Sequence, residues 1–494
     1  MLQREWRVFG VDIPCSATEE PSVTYDNGLT VSEPVIEALA ERLGLGVDQL
    51  SPDQVKLVRR SLDARPKRSS RKKEDRDGGR EVRWSYVLDV TLDAPTARKL
   101  KPQPGRLVPS SQERGKPLRR DAPAAEARHV LVVGAGPCGL FAALQLAQAG
   151  HRVTLCERGK PVEERGKSIG ALIKRGKIDY ESNFCYGEGG AGTWSDGKLT
   201  TRIGRNSHEV RRVLQTFVRF GAPERILLEG SPHLGTDNLV RMLKAFRQEL
   251  LELGTEIRWN TRVDRFLLSD DCAGKGEGSP TSDRAVRGVV LHGGEQILAD
   301  AVVLAAGHSA RELYYELLRC GASVKPKDFA APRRSVYSFC MCPGGQIVPT
   351  SLDVDHLCIN GMSYSNRGSQ WANSAVVEAM EARAAEMGGG GLVCPVQRVS
   401  DFLEGRETEG ELPRSSYRVG VTAASLHQLY PPELTEALRQ GIRKFAASLP
   451  GFDCDEALLH GVETRTSAPV QVISSSNLLE YVLLFNFLGP FFPS

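Results

Sequence analysis

Apolar and polar residues alternate with period two in "WRVFGVDI" (6–13) and "RWSYVLDVTL" (83–92), the pattern of half-buried strands. "EPVIEALAERLG" (33–44) repeats its apolar residues at helical spacing. Residues 1–95 therefore read as a small N-terminal α/β domain. Its internal run "RPKRSSRKKEDRDGGREVR" is basic but interrupted by acids, which marks a solvated loop rather than a binding patch. Residues 96–128 mix Pro, Ser and charge with no apolar period and read as a linker.

The pattern changes at residue 129. "HVLVV" is a short buried strand, the stretch from Leu140 to Ala149 is apolar and helical, and "RVTLCE" is a second strand, giving β–α–β. "TDNLVRMLKAFRQELLELG" has the period of an amphipathic helix. After it, "TEIRW" reads as a third parallel strand, "RVDRFLLS" and "AVRGVVLH" as an antiparallel meander, and "EQILADAVVLAAG" as a return strand. The fold class is α/β: a dinucleotide-binding domain over 129–310, a mixed α+β substrate domain over 311–472, and an apolar tail over 473–494.

The first βα turn carries the chemistry. Gly134, Gly136 and Gly139 form GxGxxG, with Ala143, Gly150 and Glu157 at the following characteristic positions. Gly134 permits the tight turn, Gly136 lets backbone approach a pyrophosphate, and Gly139 lets helix and strand pack closely. The helix N-terminus presents free N–H groups and roughly half a positive charge to the phosphates. Glu157, at the end of the second strand, is placed to accept hydrogen bonds from ribose hydroxyls. An NAD domain would continue with further βα units. This chain instead inserts a long segment before its third strand, then a meander and a return strand ending in Ala305-Ala306-Gly307. That order is similar to the FAD domain of glutathione reductase-like enzymes and favours FAD.

The inserted segment contains "YGEGGAGTWSDGK" (186–198), with five glycines in thirteen positions. Such a stretch lets main chain approach a ligand, and its N–H groups can form an anion-accepting concavity. Phe184, Tyr186 and Trp194 argue that the loop is ordered. The expected FAD shell is Gly134, Gly136, Pro137, Cys138 and Gly139 at the first turn, with Glu157 and Arg158 after the second strand. The loop adds Gly189, Gly190, Gly192, Thr193, Ser195 and Asp196; Val263 lies in the meander, and Ala306 and Gly307 follow the return strand.

Composition narrows the rest. Across 494 residues, 64 Lys+Arg face 61 Asp+Glu, a balance that calls for neither nucleic acid nor a membrane surface. The 11 scattered cysteines lack paired or zinc-type spacing, which fits free thiols in a reducing compartment and no metal site. The start, "MLQREWRVFGVDIP", has no signal-peptide or transit character. No second GxGxxG follows a strand; "GGGG" at 388–391 reads as a helix C-cap and loop.

Several blocks together resemble the uncharacterised FAD-dependent dehydrogenase family of bacteria and plastid-bearing eukaryotes. They include "IGALIKRGKIDYESNFCYGEGGAGTWSDGKLTTRIGRNS", "PHLGTDNLV", "VVLAAGHSARE", "RSVYSFCMCPGG", "CINGMSYSNR", "CPVQRVSDFL" and "LLHGVETRTSAPVQV". The resemblance spans about residues 130–472. It implies FAD, an oxidoreductase activity and a plastid or cytoplasmic setting, but no substrate. The family carries extra residues around Ala331-Pro332-Arg333 and after "WANSAVV". Its "ETRTSAPVQV" leads to a strand and a glycine-rich helix start; here "ISSSNLLEYVLLFNFLGPFFPS" follows. Losing two or three donors to the flavin, at about 0.5–1.5 kcal/mol each, would weaken binding roughly ten- to a thousand-fold. The tail's apolar run is shorter than the roughly 20 residues a membrane span needs. A gene-model artefact or a crippled isoform with at most a binding role is therefore the alternative to an active oxidoreductase.

With hydride chemistry carried by the flavin, Lys198 is the first candidate for a cation near the developing charge, against the reading of a plain surface lysine. His308 is a candidate acid/base, against that of a turn histidine held by backbone. NADH or NADPH is a possible electron donor. Cys340 and Cys342 share a strand face and are either a thiol site or buried free cysteines. Arg367 and Arg465 are candidate anchors for an anionic substrate, or structural ion pairs. A flavin-dependent RNA-modifying enzyme, suggested only by the basic loop and linker, is a third option.

Overall fold

The computed structural model describes residues 4–15, 31–63, 82–110, 127–199, 208–230, 232–269, 285–326, 340–370, 372–375, 381–448, 451–463, 470–473 and 482–484. They fall into two compact units: residues 1–117 with 199–232, and residues 118–198 with 233–494.

In the first unit the two alternating runs form β1 (Arg4–Pro14) and β3 (Arg83–Leu92), joined by β2 (Val55–Asp63), which the sequence reading missed, with α1 (Glu33–Leu43) on one face. The helix buries Val35, Ile36, Leu39 and Ala40 against Val8, Leu88 and Val90. The stretch read as linker begins with structure. Asp93 accepts the Thr96 N–H at 2.8 Å and caps α2 (Ala94–Lys99), and β4 (Leu107–Pro109) pairs antiparallel with Trp6–Val8. The sheet order is β2-β3-β1-β4. Read from its charge alone, this segment hid a short edge strand whose partner lies a hundred residues earlier.

The segment 199–232 also belongs to this unit, so the domain read as continuous over 129–310 is interrupted. Arg60 N–H donates to Leu228 O at 2.7 Å and Gly230 N–H to Arg60 O at 2.8 Å, pairing a free edge of β2. Gly230 lies close to the strand, and a Cβ there would fall 2.3 Å from Ser61 Oγ, which would have to turn away.

The second unit opens with β5 (His129–Val133), α3 (Pro137–Gln148), β6 (Arg152–Cys156) and α4 (Val162–Arg175). Then come α5 (Thr236–Glu252), β7 (Glu256–Arg258), the meander β8 (Val263–Leu268), β9 (Val286–Leu291) and β10 (Gln296–Leu298), β11 (Ala301–Leu304) and α6 (Arg311–Arg319). β5, β6, β7 and β11 are parallel, and Leu131, Val132 and Val302 are wholly buried, which is why these strands read as apolar runs rather than alternations.

The remainder holds β12 (Ser323–Pro326), β13 (Cys340–Pro343), β14 (Gln346–Pro349), β15 (Ile359–Met362), β16 (Ala372–Ala375) and α7 (Glu381–Met387). It continues through β17 (Cys394–Arg398), α8 (Val399–Glu404), β18 (Val421–Ala423), α9 (Pro432–Ser448), β19 (Leu458–His460) and β20 (Val470–Ile473). Its core includes Leu392, Val396, Phe402 and Leu429, and α4 contributes Ile169 and Leu172 to it. The apolar tail supplies β21 (Val482–Leu484), parallel to β11, so the main sheet runs β21-β11-β5-β6-β7. Among the described residues, no helix is long and apolar enough to cross a membrane, and no cluster of His, Cys, Asp and Glu could hold a metal.

Candidate functional site

A groove opens at the carboxyl ends of β5, β6 and β11. Three stretches of nearly bare main chain line it: Gly134 and Gly136 of the first turn, Gly187 and Gly190 to Gly192 of the glycine-rich loop, and Ala305 to Gly307 after β11. Gly190, at φ +65°, would place a Cβ 3.2 Å from Gly136 Cα, so the loop and the start of α3 touch backbone to backbone. Gly139 is a packing residue, since a Cβ would fall 1.8 Å from Gly134 O.

Glu157 is the hub of the groove and is 5 % exposed. Its carboxylate accepts N–H groups from Ala135 (2.7 Å), Gly159 (2.9 Å) and Gly187 (3.0 Å), tying the first turn to the glycine-rich loop. Arg158 lies 3.8 Å over the Tyr186 ring and pairs with Glu181 and Glu312. Tyr186 Oη donates to Ser309 O at 2.7 Å, pinning the loop to the segment after β11. The thiols beside the groove are quiet: burial pushes both Cys138 and Cys156 up to about 12, so neither is a thiolate at neutral pH.

Of the sequence candidates, Gly134, Gly136, Pro137, Cys138, Glu157, Arg158, Gly190, Gly192, Val263, Ala306, Gly307 and His308 line this groove together. Asp196 and Lys198 meet elsewhere. Asp196, 3 % exposed, faces His233 Nδ1 (3.1 Å), Lys198 Nζ (3.4 Å) and Arg367 Nη2 (3.4 Å), and accepts a short hydrogen bond from Ser363 Oγ. Burial opposes its ionisation. The hydrogen bonds from His233 and Ser363 and the charges of His233 and Lys198 outweigh that and hold it well below the usual carboxylate range. The main chain is tied at the same place: Thr236 Oγ1 donates to Ser195 O at 2.9 Å and Thr236 N–H to Ser363 O at 3.1 Å. Gly189 and Thr193 sit inside the loop, where Thr193 Oγ1 donates to Glu188 O. Cys340 and Cys342 lie in β13; Arg465 lies outside the described residues.

The sequence reading missed Arg165, Glu188 and Arg247. The signal was present in α4, whose buried positions are Val162, Arg165, Ile169 and Leu172. An arginine on the apolar stripe of a helix needs a polar partner inside the fold.

The groove fits the adenosine diphosphate half of a dinucleotide. It joins a helix N-terminus, main chain free of side chains on three sides, and a carboxylate that organises both glycine turns.

Residues 129–229 match the family described as FAD dependent oxidoreductase, and residues 322–382 and 376–466 match the FAD-dependent protein, C-terminal domain-like family. The chain is 31% identical, over an alignment of 526 positions, to an uncharacterized protein of Clostridium beijerinckii, covering 92% of this chain and 90% of that one. A stretch of 45 residues, 9% of this chain and 11% of the other, is 44% identical to a D-amino-acid oxidase of Bradyrhizobium diazoefficiens. Similar solved structures include THI4 of Thermovibrio ammonificans (19% identity, 42% of this chain and 69% of that one, TM-score 0.27). Another is the tetrameric form of 2-methyl-3-hydroxypyridine-5-carboxylic acid oxygenase (16% identity, 44% and 48%, TM-score 0.24).

Proposed function

This chain belongs to the FAD-dependent oxidoreductase family, and we propose that it passes hydride from NADH or NADPH, as electron donor, to a small substrate. The observation that carries this reading is the convergence of the α3 N-terminus, the glycine-rich loop and Glu157 on one groove. Gly136, Pro137 and the Gly190–Gly192 main chain would hold the diphosphate, Glu157 the ribose hydroxyls, and Val263, Ala306 and Gly307 the adenosine end. When bound, FAD supplies the two-electron chemistry.

The chain's own residues orient and polarise. Lys198 does not line the groove; held by Asp196 on the strand-like turn beside His233, it would offer a cation for charge that builds up on reduction where the flavin end of the cofactor extends past the groove toward that turn. His308 lines the groove next to Gly307, a place that suits cofactor contact better than proton exchange with substrate.

The test is anaerobic mixing of the FAD-loaded protein with NADH and, separately, NADPH. Loss of the visible flavin absorbance with one of them is expected, and Lys198→Met should slow it by about tenfold or more while flavin stays bound. No bleaching with either nucleotide overturns the donor assignment. An unchanged rate in Lys198→Met removes the role given to the lysine.

A further inference from the structure

The glycine-rich loop is gripped from behind by one buried side chain. Arg165 is 0 % exposed, and all three of its guanidinium nitrogens donate to carbonyls of residues 183–190. Nε donates to Asn183 O (2.9 Å) and Nη2 to Phe184 O (3.0 Å). Nη1 donates to the carbonyls of Glu188 (2.7 Å), Gly190 (2.9 Å) and Gly187 (3.3 Å). Gly187 makes room for this arrangement. At φ +116° a Cβ would lie 2.4 Å from Arg165 Cδ.

The grip is reciprocal. α4 sends Arg165 into the loop, and the loop returns Glu188, whose Oε2 accepts the Val162 N–H at the start of α4 (2.7 Å) and pairs with Arg247 Nη1 (2.9 Å). On the loop's other side Glu157 takes the Gly187 N–H. The N–H groups of Gly187 to Gly190 are spent inside the protein, on Glu157, Lys160 O, Ala135 O and Gly187 O. Where Arg165 takes the Gly190 carbonyl, the opposite end of that peptide, the N–H of groove-lining Ala191, is the positive end turned away from the guanidinium. Burial pulls the guanidinium down to about 10, so it is still charged at neutral pH and adds its own field beneath the loop.

We propose that Arg165 is a positioning residue for the diphosphate: without touching the cofactor, it holds the Gly190 carbonyl away from the groove and thereby aims the Ala191 N–H at the anion, an orientation on which FAD affinity depends. This rests on the assignment of the groove to the adenosine diphosphate half of FAD. Lysine keeps the charge but cannot replace the fork, since it is a point donor.

The experiment measures binding of ADP and of adenosine to the full chain freed of flavin, for the wild type and Arg165→Lys, with near-ultraviolet circular dichroism to confirm folding. Arg165→Lys is expected to bind ADP roughly ten- to a hundred-fold more weakly and adenosine within about threefold of wild type. Equal loss for both ligands means a merely structural role and overturns the proposal, as does unchanged ADP affinity. A wild type that binds ADP no better than adenosine instead removes the groove assignment and the proposal with it. A second measurement needs no variant: amide hydrogen exchange over residues 183–192 of the flavin-free wild type. Slow exchange before ADP is added is expected of a loop already held by Arg165. Fast exchange that slows only with ADP overturns the proposal even where Arg165→Lys does not fold.

Discussion

Glu157 and Glu188 are both buried, yet their surroundings differ. Glu157 spreads three backbone N–H groups over its two oxygens. Glu188 is wholly buried, and its Oε2 alone serves Val162 N–H and Arg247, while Oε1 is enclosed without a hydrogen-bond partner. Burial therefore pushes Glu188 up to about 7, against the downward pull of the Val162 N–H and the Arg247 charge, with Glu163 adding upward and Arg165 downward. A folded-state value above the unfolded one means that the folded chain keeps a proton the unfolded chain gives up. The resulting stabilisation, on the order of 3 kcal/mol, is complete below about pH 4.5 and is lost as pH rises through about 7. Glu188→Gln, neutral throughout, should gain on the wild type as pH rises from about 5 to about 8, read from the denaturant midpoint of the flavin-free protein. Parallel pH curves for the two proteins would contradict this account of Glu188.

At the scale of elements, Asp196 fastens the end of the glycine-rich loop to the turn before α5 and to the segment after β15, through His233, Ser363 and Arg367. Its depressed value carries the opposite sign from that of Glu188. The stabilisation is present above the unfolded carboxylate value and disappears as pH falls through the lower folded one. Asp196→Asn should cost about 3 kcal/mol, as when one partner of a buried ion pair is removed, and should flatten the acid limb of an unfolding profile. An acid limb identical to that of the wild type would show that the three segments are held by their backbone bonds alone.

These elements also show where sequence patterns are informative. β5, α3 and β6 were legible because strand, glycine turn and helix are neighbours in the chain, so local spacing encodes the geometry. β7, the meander and β11 followed from apolar runs of the right length. Not legible were β4 in the segment read as linker, β2 with its pairing to residues 228–230, and β21 in the tail. Each is an edge strand or bridge whose partner is distant in sequence, and edge pairing leaves little trace in composition. The candidate site divides the same way. The groove-lining glycines and Glu157 were named from spacing. Arg165 was missed although its spacing from Val162, Ile169 and Leu172 puts it on the apolar stripe of α4, because its acceptors, the carbonyls of 183–190, leave no mark of their own in the sequence.

Taken as a whole molecule, the chain concentrates its recognisable chemistry at the carboxyl edge of one parallel sheet, where crevices outside strand ends bind ligands. Around that edge, α4 serves two masters: Arg165 points into the loop, while Ile169 and Leu172 enter the core that also holds Val396, Phe402 and Leu429. Loop position and C-terminal packing are thus coupled through one helix. The most direct test of the central claim is the visible absorption spectrum of the purified full chain after incubation with FAD and removal of the excess. Flavin bands that persist through gel filtration in proportion to protein, and that bleach on anaerobic reduction, are expected. A colourless protein that retains none of the added FAD would contradict it.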